Sequence, residues 1–341
     1  MTGRNADLPP DFGRTVLALI ESKTKPVGAL GLVESLALQI ARATGKTAPR
    51  LETCALTIFA ADHGIAAEGV SVYPQAVTRQ MVLNFLHGGA AANVFADAVG
   101  ASVQVVDAGV AGEPIAHPDI LSRRIGAGTR NSRLEPAMTE AQLDEALRAG
   151  AALAAECGTD VLCFGEMGIG NTSAASLVAH KLLDLSLARL VGRGTGLDEK
   201  GVARKRAVLE EAAARTARRL CAARALAEYG GFEIVMMTGA MIEGARSNRP
   251  VLVDGFISSV AALAALHMEP AVERALLYAH RSAEAGHTTL LEVLGARPVL
   301  DLEMRLGEGT GALLAWPIVR AASAMLTDMA SFESAGVSGP A

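Results

Sequence analysis

The chain has 341 residues; half are hydrophobic, only 4% are aromatic and 35 are glycine, and 31 basic against 36 acidic side chains leave a net charge of −5. This length suits a large α/β domain with an appendage, and the composition reads as an aliphatic core of closely packed helices joined by glycine turns. A mildly acidic chain offers no electrostatic grip on nucleic acid, and its best apolar run, 257–268, is too short to span a bilayer. The first residues lack the basic-then-apolar layout of a signal peptide, so a cytoplasmic protein with neither membrane nor nucleic-acid partner is expected.

Two helical stretches fill about 11–44 and precede the first strand, 56–61 (LTIFAA). A long helix over 74–97 follows, introduced by Ser71 and Pro74, then a strand at 102–107 and a helix at 139–156 capped by Thr139. The strand 160–164 leads into helices at 173–184 and 200–228. Next come a strand 232–237 (FEIVMM), a helix 239–247, a strand 250–254, a helix 257–267, a strand 275–279 and a final helix over 312–329. The strands are near-continuous apolar runs, which suits a sheet covered on both faces.

Six strands with helical crossovers predict a doubly wound, mostly parallel α/β sheet with helices on both faces. The sheet belongs to a Rossmann-like catalytic domain over 50–311. The terminal stretches, 1–49 and 312–341, have no strand partner and are expected to form a small helical subdomain.

Ligands of open parallel sheets bind at the carboxyl ends of the strands, and glycine, serine, threonine and acidic residues gather there. "GEMGIGNTS" (165–173) places three glycines before Asn171, Thr172 and Ser173 at a helix start. Free amides and the positive helix end make this a phosphate seat. A second glycine loop, "VGRGTGLDEKGVARK" (191–205), offers Lys200, Arg204 and Lys205 to the same anion. "RLGEGTGA" (305–312) surrounds one carboxylate, Glu308, with glycines, the residue for positive φ or close approach to a ligand.

Other chemistries find no support. A Walker A loop ending at "GKT" (45–47) would need glycine where Ile40 stands; "VLVDGF" (251–256) has Gly255 in place of the second acid of a diphosphoribosyl pyrophosphate site; there is no GxSxG. Cys54, Cys157, Cys163 and Cys221 form no CxxC and read as buried apolar thiols, and the histidines form no metal pattern, with His63 and His280 the two nearest to chemistry. No metal and no cofactor is expected. The residues alone point to an enzyme, or a non-catalytic binder, for a small phosphorylated ligand.

Seven stretches carry a resemblance: 25–37, 61–94, "GEMGIGNTSAA" (165–175), "MTGAMIEGA" (237–245), 251–265, "HRSAEAGH" (280–287) and "MRLGEGTGALLAWPIV" (304–319). In that order they resemble the nicotinate-nucleotide–dimethylbenzimidazole phosphoribosyltransferases, which prepare the lower ligand of cobalamin. The resemblance implies transfer of ribose phosphate from nicotinate mononucleotide to 5,6-dimethylbenzimidazole, giving α-ribazole 5′-phosphate and nicotinate, in a homodimer. It implies Glu308 as general base and Glu166 as a second carboxylate. For phosphate and nucleotide it implies Gly168, Gly170, Asn171, Thr172 and Lys205, with Ser282, Glu284 and Asp254 further along the rim. For the aromatic base it implies Tyr73, Gln80, Met81 and Leu306, and Met241 is a further apolar candidate. Hydrolysis of nicotinate mononucleotide is the alternative reaction.

Overall fold

The computed structural model describes residues 8–194 and 196–338. Residues 1–7, part of the stretch read against a signal peptide, Thr195 of the second glycine loop and residues 339–341 lie outside the described residues. The six strands are β1 (Cys54–Ala61), β2 (Ser102–Gly109), β3 (Ile120–Ser122), β4 (Val161–Met167), β5 (Val251–Val253) and β6 (Leu276–Tyr278). They form one sheet in the order β3-β2-β1-β4-β5-β6, and every pairing is parallel.

Helices α1 (Phe12–Glu21) and α2 (Leu32–Thr44) precede the sheet, and α3 (Ala76–Leu86) and α4 (Ala91–Val99) join β1 to β2. The crossover to β4 contains α5 (Glu140–Glu156). Between β4 and β5 run α6 (Asn171–Leu183), α7 (Leu187–Leu190), α8 (Glu199–Ala213), α9 (Ala222–Tyr229) and α10 (Phe232–Arg246). Then follow α11 (Phe256–Met268), α12 (Ala285–Val293), α13 (Thr310–Asp328) and α14 (Phe332–Ala335).

Side chains alternate across a strand, and β1 shows both faces buried. Leu56, Ile58 and Ala60 join a core with α1, α2, α4 and α13, while Ala55, Phe59 and Ala61 join a second core with α5, α6, α9, α10 and α11. The terminal helices pack on one another, and the layer they make covers one face of the sheet, with Trp316 fully buried against it.

Three predicted elements differ. Residues 232–237 are not a strand but the first turns of α10, all buried. An apolar run buried all round cannot reveal its period, and Gly231, extended at φ −125°, starts a helix that continues to Arg246. The sixth strand is instead β3, three residues at the sheet edge, too short to mark the sequence. The 74–97 helix is two helices, broken at Gly88, where φ is +76°. The 200–228 helix also breaks, and buried Lys181 donates to the carbonyls of Ala213 (2.7 Å) and Ala217 (2.9 Å) that the break exposes. Thr139 does cap α5, accepting from Gln142 N–H at 3.1 Å. Cys54, Cys157 and Cys163 are buried, but Cys221 is exposed.

Candidate active site

The chain runs outward from β1 in one direction and restarts from β1 with β4, so the reversal of strand order lies between these two. In such sheets that reversal opens a crevice at the carboxyl ends. Phe59 of β1 pairs in register with Glu166 of β4, so Asp62 and His63 leave β1 beside the start of the Gly168–Gly170 turn.

That turn is held tightly. Thr78 of α3 donates to Asp62 Oδ1 (2.7 Å) and accepts from Ile169 N–H (3.0 Å). A Cβ on Gly168 would run into the Ala61 carbonyl, so only glycine fits there. Gly170, at φ +100°, is the N-cap of α6. The amides of Gly170 and Thr172, at the start of this 13-residue helix, open where an anion is favoured.

Lys205 is only 1% exposed, and its Nζ donates to Thr172 Oγ1 at 2.8 Å. Burial lowers its pKa to about 8, with Glu284 pulling the other way. Glu284 also accepts from Gly194 N–H at 3.3 Å, which brings the second glycine loop to the first. Of the three cations expected there, Lys205 alone turns inward. Lys200 is exposed and Arg204 donates to the Gly69 carbonyl at 2.7 Å. A cavity of about 550 Å³ abuts this cluster, lined by Gly192, Arg193, Arg206, Glu284 and Arg305 among others. A larger cavity of about 710 Å³ lies elsewhere, between Leu36, Gln39, Leu276 and Leu294. It touches none of these carboxylates, so chemistry and not size locates the site.

The glutamate loop crosses the carboxyl end of β4. Gly307, Glu308 and Gly309 all have positive φ, at 86°, 62° and 83°. For glutamate this conformation costs about 1–2 kcal/mol, and such strain gathers at functional sites. Glu308 is 6% exposed, and its Oε2 has no hydrogen-bond partner among the described residues. Burial raises its pKa to about 7; the Ala92 N–H hydrogen-bonded to the carboxyl opposes this and the charge of Asp254 adds to it. A buried carboxyl with an uncommitted oxygen and a pKa near neutrality suits a general base.

Glu166 lies beneath the loop. Asn171 Nδ2 donates to its Oε2, and a Cβ on Gly307 would meet its Oε1. Burial, then Asp254, Glu233 and Glu308, push its pKa well above the usual carboxylate range, against the Glu308 N–H bonded to it. Its burial therefore favours the protonated form.

Asp254 sits under the loop and not at its mouth. Its Oδ2 accepts from Gly309 N–H at 3.2 Å and its Oδ1 from Ala312 N–H at 3.0 Å. Ser282 Oγ accepts from Glu284 N–H at 3.2 Å, and Ser282 N–H donates to His287 Nδ1 at 2.8 Å. Both residues thus shape the rim through backbone bonds. His280 lies 3.9 Å from Asp254 through Nε2. Tyr73 (48%) and Leu306 (57%) are large side chains left exposed; Gln80 is exposed too and Met81 half-buried. Met241 is fully buried in the core of α10 and is packing, not a base contact. Reasoning from residues alone missed Thr78 and Glu233, the first hidden in a helix, the second inside the supposed strand.

A phosphoribosyltransferase family matches residues 7–337. The chain belongs to that family. It is 53% identical over 334 residues to the nicotinate-nucleotide–dimethylbenzimidazole phosphoribosyltransferase of Ralstonia nicotianae, covering 96% of this chain and 94% of the relative. The protein of the same name from Roseiflexus sp. is 49% identical over 93% of this chain and 91% of its own. The crystal structure of CobT from Thermus thermophilus superposes with a TM-score of 0.93 at 45% identity, over 97% of this chain and 100% of the other. The parallel α/β architecture and the phosphoribosyltransferase activity class follow. No helix among the described residues is long and apolar enough to cross a membrane.

Proposed function

We propose that this phosphoribosyltransferase moves ribose 5-phosphate from nicotinate mononucleotide to 5,6-dimethylbenzimidazole. The products are α-ribazole 5′-phosphate, for cobalamin, and nicotinate. The observation that carries this reading is Glu308, a buried carboxyl held in a left-handed turn with Oε2 uncommitted. Its role as base, and those of the residues below, are part of the proposal.

The nucleotide phosphate is seated on the amides of Gly170 and Thr172, at the positive end of α6, and faces Lys205. The lone pair of the benzimidazole imine nitrogen attacks ribose C1′ from the face opposite nicotinate, which inverts the anomeric centre. The bond from C1′ to the pyridinium nitrogen breaks, and its electrons return to that nitrogen, so the leaving group needs no acid. The attacking ring becomes cationic, its N–H turns acidic, and Glu308 takes that proton. Base catalysis of this kind is worth about 10²–10⁴-fold, and the carboxylate also favours positive charge in an oxocarbenium-like transition state. Tyr73, Gln80, Met81 and Leu306 form the rim on which the flat base lies. We further propose that the protein acts in the cytoplasm and, on the family resemblance, as a homodimer.

Incubation with both substrates, followed by chromatography and mass analysis, tests the reading. Nicotinate and ribazole phosphate appear in equal amounts if it is right. Nicotinate alone would mean hydrolysis, and no turnover would mean a binding protein.

A further inference from the structure

We propose that His63 and Glu233 are a buried positioning pair for the phosphate seat. The histidine answers the buried Glu233 carboxyl beside the Gly168–Gly170 turn, so that the seat stays receptive to an anion. The proposal rests on reading that turn and Lys205 as the phosphate site.

Three observations carry it. His63 and Glu233 are 1% and 0% exposed, and His63 Nε2 lies 2.7 Å from Glu233 Oε1. Glycines make room for this pair on three sides. A Cβ on Gly168 would come within 3.2 Å of His63 Nε2, one on Gly170 within 3.1 Å of His63 Cβ, and one on Gly231 would strike His63 Cε1 and Glu233 Oε2. The turn is therefore packed against the histidine side chain at both of these glycines. Third, Glu233 Oε2 is buried with no hydrogen-bond partner among the described residues, so the histidine is the group that answers its charge.

A buried carboxylate is tolerated only when paired. Burial on its own would lower the His63 pKa, but Glu233 and then Asp62 outweigh it and raise the pKa above the ordinary imidazole value. The charge of Glu233 also bears on Glu166, whose Asn171 contact begins the anion-binding helix. Take the imidazolium away and an uncompensated negative charge stands behind the phosphate, in a poorly screened interior.

The two partners are therefore unequal, which a purely structural hydrogen bond would not make them. In His63→Gln, Glu233 loses the ring nitrogen that answers it. In Glu233→Gln, the carboxyl that needs the histidine is gone. Steady-state kinetics with nicotinate mononucleotide should show KM raised about tenfold or more in His63→Gln, with kcat within about threefold because Glu308 is untouched. Glu233→Gln and the double variant should both lie within about threefold of the parent, which makes the double variant strongly non-additive. Equal KM rises in both single variants that add in the double would overturn the proposal and leave a packing contact. If His63→Gln does not fold, the double variant decides: KM near the parent supports the pair, and a tenfold rise sinks it. Lys205→Met separates the two levels of the argument. A raised KM there beside a silent His63→Gln refutes the pair alone, whereas a silent Lys205→Met removes the phosphate seat and the pair with it.

Discussion

The main-chain N–H of Glu308 hydrogen-bonds to the carboxyl of Glu166, so the strained loop that carries one acid is fastened to the other. Two buried carboxyls this close resist ionising together. Burial pushes both upward, and Glu308, at about 7, still ionises near neutrality. Glu308→Gln should therefore lower kcat by about 10²–10⁴-fold. Glu166→Gln replaces a neutral acid with a neutral amide and should cost less than about tenfold. Parallel kcat measurements check the order, and equal losses would make Glu166 a second base.

The same environment sets a pH limb. Glu308 must be ionised to accept a proton, and burial holds its pKa at about 7. Log kcat should fall with unit slope below about pH 7, and the limb should vanish from the residual activity of Glu308→Gln. A limb near 4.5 in the parent would mean that the carboxyl is better solvated than the fold indicates.

Stability should move in the opposite sense. A carboxyl with a raised pKa binds its proton more tightly folded than unfolded, so its contribution is lost as pH rises from about 4.5 to about 7. Glutamine cannot ionise and also escapes the cost of a buried charge. Glu308→Gln should melt a few degrees higher than the parent at pH 8 and no higher at pH 4, in calorimetry at both values. The site thus trades stability for a usable base.

Lys205 supplies the alkaline counterpart. Burial brings its pKa down to about 8, so the cation that meets the phosphate is lost above that pH. The KM for nicotinate mononucleotide should climb above about pH 8 in the parent and stay flat in Lys205→Met, whose KM is already high. A KM independent of pH up to 10 would place the phosphate away from Lys205.

Glycines of the loop act through shape. A Cβ on Gly165 would press into the Glu308 carbonyl, and one on Gly309 into Leu56 Cδ1, with Gly309 also held at φ +83°. Gly165→Ala should displace the base and cut kcat at least about tenfold with little change in nucleotide KM, since reacting groups tolerate roughly 1 Å of misplacement poorly. Gly309→Ala should also destabilise the fold by about 1–3 kcal/mol. At Gly295 a Cβ meets nothing within 4 Å although φ is +59°, so Gly295→Ala should cost only the backbone strain, about 1–2 kcal/mol, and leave kcat alone. Denaturant titrations and kinetics of the three variants separate strain from displacement.

The architecture and the class of ligand were legible in the residues. Apolar strand runs require a sheet covered on both faces, and glycine-rich strand ends announce a ligand rim, because backbone freedom and close approach are local demands. Glu308 and the Gly168–Gly170 turn stand out on that ground, whereas Glu166 and the choice of Lys205 among three cations rest on the family resemblance. Burial, by contrast, erases period: FEIVMM is apolar whether it forms a strand or the wholly buried start of α10, and only packing against α5 and α11 chose the helix. Three-residue β3 exists because a neighbouring strand offered it partners. Which charges face one another was also a tertiary matter. Asp254 lies 55 residues from the Gly309 amide it holds, and His63 lies 170 residues from Glu233. No local pattern links such partners, and desolvation, which sets Glu308 near 7 and Lys205 near 8, exists only once the surrounding chain has closed over them.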